Sequence, residues 1–195
     1  MEMSEMLYKY RSLENFKYFV DIILNNRLYA SSFKDLNDPM EGMYYLLTKD
    51  CEKTITDKLK EDKGKFKICS LSKLNNDELM WSHYADGHKG VVLGVKIDKA
   101  KYDIQSIEYA GIPTIHSDDL SHLTAKEILC RKLEAWNYEQ EERVFVRNTR
   151  FVQVYIVEVI TGRRMSEMDL KFITLLIHRI NSTIQMRKAE SIMNK

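Results

Sequence analysis

Apolar residues recur along this chain with two periods, and the switching between them sets out the elements. Leu7 to Arg11 alternates apolar and polar side chains, as a short strand does. Ser12 then stands where a helix cap belongs, with Leu13, Phe16, Phe19, Val20, Ile23 and Leu24 on one helical face. Asn25-Asn26 closes that helix, and Leu28 to Ser31 reads as a second strand. The next stretch, SSFKDLNDPMEG, is rich in turn formers, and Pro39 keeps a helix from running through it. Residues 43 to 62 are polar and weakly patterned, a helix with a poor core face. Asp62-Lys63-Gly64 marks a turn before a strand from Phe66 to Leu71.

Further along, Asn76 is placed to cap the helix DELMWSHYAD, and Gly87 suits its left-handed end. Val91 to Ile97 has the unbroken apolar character of a buried strand, and Ile104 to Ala110 predicts another. Thr124 and Glu127 form a capping box before ILCRKLEAW, a helix of about three turns. EERVFVRNTRFVQVYIVEVI predicts two strands folded about Asn148-Thr149-Arg150, the best hairpin in the sequence. Ser166 and Asp169 then open a long helix, about 167 to 193, with Ile173, Leu176, Ile177, Ile180 and Ile184 in one stripe. Helices and strands are interleaved while the clearest strand pair is antiparallel, so the pattern predicts an α+β fold. Its sheet is mixed and mainly antiparallel, flanked by helices. At 195 residues the chain reads as one domain, 1 to 195.

Composition narrows the classes. Lys and Arg number 30 against 29 Asp and Glu, a net charge of +1, which excludes a protein that coats nucleic acid by charge alone. Cys51, Cys69 and Cys130 have neither disulfide-framework nor zinc spacing. Cys69 lies in an apolar strand and Cys130 inside a predicted helix, positions of inert packing thiols. Apolar runs fall short of the ~18 residues that span a bilayer. No signal-peptide pattern opens the chain, so the expectation is a cytoplasmic protein without a membrane partner. Neither a GxGxxG nor a GxxxxGK[ST] loop occurs.

Three constellations carry candidate chemistry. Asn37-Asp38-Pro39 with Glu41 is either a self-capped turn or a rigid loop presenting carboxylates to a cleft. The segment from Met80 to Gly90 brings Trp81, His83 and Tyr84 together, as an aromatic wall for a flat ring or as an amphipathic helix at the core edge. In WNYEQEERVF, strand alternation from Glu139 puts Glu139, Glu141, Arg143 and Phe145 on one face, opposite Glu142, Val144 and Val146. Opposed pulls on neighbouring carboxylates are common at acid–base sites, while the plain alternative is a charged, aggregation-resistant sheet edge.

LYKYRSL, LYASSFKDLNDPMEG, CSLSK, LMWSHYADGHKGVVLGV and WNYEQEERVF follow one another in this order. With these segments the chain resembles the bacterial family called domain of unknown function 2971, over roughly residues 7 to 165. A first strand with Tyr8, Tyr10 and Arg11, a helix, a short LYASS strand and a late Glu-x-Glu strand are, in addition, similar to ADP-ribosyltransferase-like domains. That likeness implies NAD as co-substrate, with Glu141 holding the nicotinamide ribose and stabilising the oxocarbenium ion, and Glu139 orienting or deprotonating an acceptor. It implies a dinucleotide contact from Tyr10 or Arg11 and stacking from Tyr84 or Trp81. The acceptor would be protein or nucleic acid, as for a toxin or phage-defence effector.

Two other readings stand beside it. One is a binding module for a nucleotide or peptide, in which Asn37, Asp38, Arg143 and the aromatic cluster recognise the ligand and the last helix pairs with a partner or a second copy. The other is a magnesium-dependent hydrolase or nuclease using Asp38, Glu41, Glu139 and Glu141. Interleaved aromatics and the lack of supporting His make a metal site the weaker expectation.

Overall fold

The computed structural model describes residues 2–47, 53–116 and 123–190. Seven strands form one mixed, mostly antiparallel sheet, with helices on both faces, as the α+β pattern predicts. At its centre is β1 (Leu7–Arg11), flanked by β4 (Lys67–Ser72) and β5 (Val91–Lys96). Beyond β4 come β8 (Glu141–Val146) and β6 (Asp103–Ser106); beyond β5 come β10 (Tyr155–Thr161) and β11 (Gln185–Lys188). Only β10 and β11 run parallel. Two small ribbons stand outside this sheet. One pairs β2 (Arg27–Tyr29) with β9 (Phe151–Gln153), the other β3 (Tyr45–Leu46) with β7 (Thr114–Ile115).

One face of the large sheet is packed by α1 (Phe16–Asn25) and α5 (Glu167–Ile180). Phe19, Ile22 and Ile23 from α1 and Ile173 and Ile177 from α5 cover Leu93, Val95, Val144 and Val146. The other face carries two separate apolar patches. Met80, Trp81 and Ala85, around α3 (Glu78–Tyr84), pack on Tyr10, Val92 and Ile160. Ala125 and Leu129 of α4 (Ala125–Leu129) pack on Phe66, Ile68 and Phe145. Polar residues of β1, β4 and β8 occupy the space between the patches, so the fold leaves a charged hollow where a continuous core would otherwise form.

Several boundaries differ from the sequence pattern. Helix α1 starts at Phe16, and Ser12 instead accepts a hydrogen bond from the Glu14 N–H in the preceding turn. The helix expected over 43–62 is α2 (Lys53–Lys65), which absorbs Asp62-Lys63-Gly64; residues 48–52, with Cys51, lie outside the described residues. Asp77, not Asn76, caps α3 by accepting from the Met80 N–H. The capping box of Thr124 and Glu127 is present, yet α4 stops at Leu129 and a 3-10 turn follows over Glu134–Glu139.

The hairpin about Asn148-Thr149-Arg150 does not form. Both hydrogen-bonding edges of β8 are taken, by β4 and β6, so β9 turns away to pair with β2. For the same reason β8 is no exposed sheet edge. The last helix ends at Ile180 rather than near 193. Asn181 closes it, and the chain returns as β11 against β10. Residues 191–195 lie outside the described residues.

Candidate functional site

Strand β1 pairs with β5 over its whole length but meets β4 only at Tyr8–Ser72. The two strands part beyond that pair. Lys9 fills the gap, its ammonium donating to the Ser70 carbonyl at 2.8 Å. Burial holds the Lys9 pKa below the ordinary lysine range. On the α3–α4 side of this split lies a cavity of about 200 Å3. Tyr8, Tyr10, Asn37, Tyr84, Glu139 and Glu141 line it together with Arg143.

Two buried cations organise the cavity floor. The guanidinium of Arg143, 0% exposed, donates to Glu141 at 2.7 and 3.1 Å and to Glu41 at 2.6 and 2.7 Å. It also donates to the Leu129 carbonyl. Lys132 bridges Glu139 and Glu141, lying 3.0 Å from the latter. The Tyr84 hydroxyl donates to Glu139 at 2.5 Å, and the Tyr109 hydroxyl accepts from the Glu141 N–H at 2.7 Å.

Burial alone would push the Glu141 carboxyl up. Arg143, Lys132 and Ser70 overcome that and hold it at about 2, so it is an anion throughout the physiological range. Burial dominates at Glu41, whose pKa is raised although Arg143 pulls it down. Lys132 is raised: burial lowers it, but Glu141 and Glu139 together outweigh the burial. Burial and then Glu139 raise the Tyr84 phenol, so it remains a hydrogen-bond donor. The outcome is a fixed anion, a second acidic side chain, and the hydroxyls of Tyr84 and Tyr8 around one small space.

Alternation along β8 does place Glu141 and Arg143 opposite Val144 and Val146. Glu139 reaches the cavity by another route. It ends the 3-10 turn, and Gln140, left-handed at φ 43°, redirects the chain before β8 begins. Glu141 is also enclosed rather than solvent-facing, so its removal leaves buried cations unmatched.

Three expected site residues lie elsewhere. Trp81 is 0% exposed, edge-on to Tyr10 at 5.5 Å and stacked on His88 at 4.9 Å. It is a core residue that no ring ligand reaches. Asp38, 3% exposed, accepts from the Met40 N–H at 2.9 Å, which is the self-capped turn. That turn delivers Glu41 to Arg143. Arg11 faces a different cavity, on the α1 side of the split. Tyr10 lines the pocket, but its hydroxyl binds the Leu74 carbonyl and the Asp77 N–H at the start of α3.

Lys132, Lys9, Ser70 and Tyr109 were not foreseen. Lys132 sits inside the stretch expected to be helical, and only the break after Leu129 frees it to turn inward. Among the described residues no group of three or more His, Cys, Asp or Glu is placed to hold a metal ion. Among them, too, no helix is long and apolar enough to cross a membrane. The Cys69 thiol is buried and pushed up by burial, and burial pushes Cys130 up to about 11. No protein-family model matches the chain, and no curated protein or solved structure is detectably similar to it.

Proposed function

We propose that the protein is an ADP-ribosyltransferase-like enzyme that cleaves NAD at the nicotinamide ribose and passes the ADP-ribosyl group to a macromolecule. One observation carries this reading: the segments behind the resemblance converge on one cavity. LYKYR supplies Tyr8 and Tyr10, NDPMEG supplies Asn37 and sets Glu41 behind the floor on Arg143, MWSHYADGHKG supplies Tyr84, and WNYEQEERVF supplies Glu139, Glu141 and Arg143.

In this reaction the C1′–N bond breaks, nicotinamide leaves with the bonding electrons, and positive charge develops on the ribose. A preorganised anion stabilises that charge most, and Glu141 has the required ionisation. The acceptor then attacks C1′, and Glu139 takes its proton while Tyr84 steadies the carboxylate. At about 200 Å3 the cavity is below the ~300–1,000 Å3 of pockets for drug-sized ligands, so it suits one end of the dinucleotide.

A specific observation favours the alternative, a binding module without turnover. Both oxygens of Glu141 are already engaged, one by Arg143 and the other by Arg143 and Lys132, so a ligand must compete with internal partners. Nicotinamide release from NAD in bacterial lysate, with parent, Glu139→Gln and Glu141→Gln proteins, separates the two. Release by the parent that is lost in variants still showing a cooperative melt supports the enzyme. No release, with NAD or another small ligand raising the parent's melting temperature, overturns it in favour of binding alone.

A further inference from the structure

On the α1 side of the split the surface has a different character. A cavity of about 780 Å3 lies between α1, β1 and the β2–β9 ribbon, and one of about 500 Å3 lies beyond β9. Both fall within the range of ligand-sized pockets. They adjoin, because Arg27 and Phe151 line each. Lys9, Arg11 and Lys17 supply cations to the first, and Lys101 and Arg147 to the second.

Among the described residues Asp21 is the one carboxylate lining either, and Arg27 already binds it at 2.8 and 3.1 Å. Among the described residues Lys9, Arg11, Lys17, Lys101 and Arg147 enter no ion pair, and the buried Nε of Arg11 has no hydrogen-bond partner. In a chain of net charge +1 this is a local excess of positive charge, offset elsewhere on the molecule.

Aromatic rings alternate with these cations. Tyr18 and Tyr29 are 52% and 47% exposed, although large aromatics normally bury their faces. Phe151 meets Tyr29 edge-on at 5.9 Å and carries the Arg27 guanidinium 3.8 Å above its ring. Tyr102 lies in the second cavity. Unpaired cations that track a groove, interleaved with exposed rings, match the two needs of an unpaired nucleic-acid strand: charge for each phosphate and a flat face for each base. An acidic peptide would use the cations but has no demand for the rings. A duplex hides its base faces and gives the rings nothing to stack on.

We propose that this groove binds single-stranded nucleic acid. The strand would run along the β2–β9 ribbon to the split where Lys9, Tyr29 and Ser31 line both the groove and the carboxylate cavity. On the reading above, on which only this second clause rests, the macromolecule modified is therefore an RNA or DNA strand rather than a protein.

The test is fluorescence anisotropy with short labelled oligouridylate and oligothymidylate at low salt, without NAD. Binding should weaken as salt rises, with a log–log slope of about −0.7 per phosphate neutralised. The double variant Lys17→Glu with Arg147→Glu changes two exposed residues outside the carboxylate cavity. It should keep the parental melting temperature and lose about tenfold or more in affinity. Whichever oligomer binds more tightly names the strand. Absence of binding, equal binding of a duplex, equal binding by the double variant, or full displacement by polyglutamate would each overturn the proposal. Nicotinamide release is read separately. Strand binding without release leaves the groove standing and removes the enzyme; release without strand binding does the reverse.

Discussion

The two sides of the β1–β4 split gather charge in opposite ways. On the floor of the carboxylate cavity the buried charges partner one another: Arg143 holds Glu41 and Glu141, and Lys132 holds Glu139 and Glu141. In the groove the cations stand mostly without carboxylates and at the surface. A paired, buried cluster rarely adds net stability over an apolar core, because desolvation cancels most of the attraction, but it fixes geometry. Unpaired surface cations do little for folding and leave their attraction available to an external anion. The first arrangement suits holding a reacting group still. The second suits attracting a chain.

If that contrast is right, the two regions respond differently to mutation. Arg143→Met should have the largest effect, about 3–5 kcal/mol of lost stability in urea unfolding, since it strands buried Glu41 and leaves Glu141 to Lys132 alone. Adding Glu41→Gln and Glu141→Gln to that variant should recover most of the loss. A triple variant as unstable as the single one would break the view that the cluster serves geometry.

Acid should act next. Glu141 is depressed from 4.5 to about 2 in the folded protein. A depressed carboxylate contributes stability above its unfolded pKa and loses it as pH falls toward the folded value. Stability on the order of 3 kcal/mol should therefore disappear between pH 4.5 and 2. Glu41 works in the other direction: its raised pKa favours the folded state on protonation, so the observed loss should be smaller in the parent than in Glu41→Gln.

Tyr84→Phe removes a hydrogen bond to a charged acceptor and should cost about 2 kcal/mol by thermal unfolding. The smallest effect belongs to the groove. Lys17→Glu and Arg147→Glu should each shift folding stability by less than about 0.5 kcal/mol. A larger shift would mean that the placement of Lys17 over the Tyr18 ring and of Arg147 over the Phe66 ring carries structural weight.

The fold was legible in the sequence wherever one face of an element is apolar. Alternation along β8 separated Glu141 and Arg143 from Val144 and Val146, and the stripe of α5 was read correctly at Ile173 and Ile177. What failed depended on long-range pairing or on single backbone angles. Arg143 meets Glu41 across 102 residues of chain, a partnership no local pattern encodes. The left-handed Gln140 takes Glu139 off the strand without removing it from the cavity. Lys132 lay hidden in a helical-looking run. The hairpin reading failed because a turn signal says nothing about whether the strand edges beside it are already occupied. Trp81 could not be divided between wall and core by spacing, and burial against Tyr10 and His88 decided it.

The position of β1 also has a consequence for synthesis. The strand leaves the ribosome well before the neighbours it pairs with: Tyr10 waits for Val92, and Tyr8 waits for Ser72. At roughly 5–20 residues per second, β1 spends on the order of 3–13 s before β4 arrives, and on the order of 4–16 s before β5 covers its other edge. Pairings this remote in sequence also slow the folding search itself. An apolar strand left open that long would invite association between nascent chains. A charged side chain pointing inward is one of the devices that guard such edges, and Lys9 places one in the middle of β1. The lysine that later fills the split thus protects the strand while it is still alone.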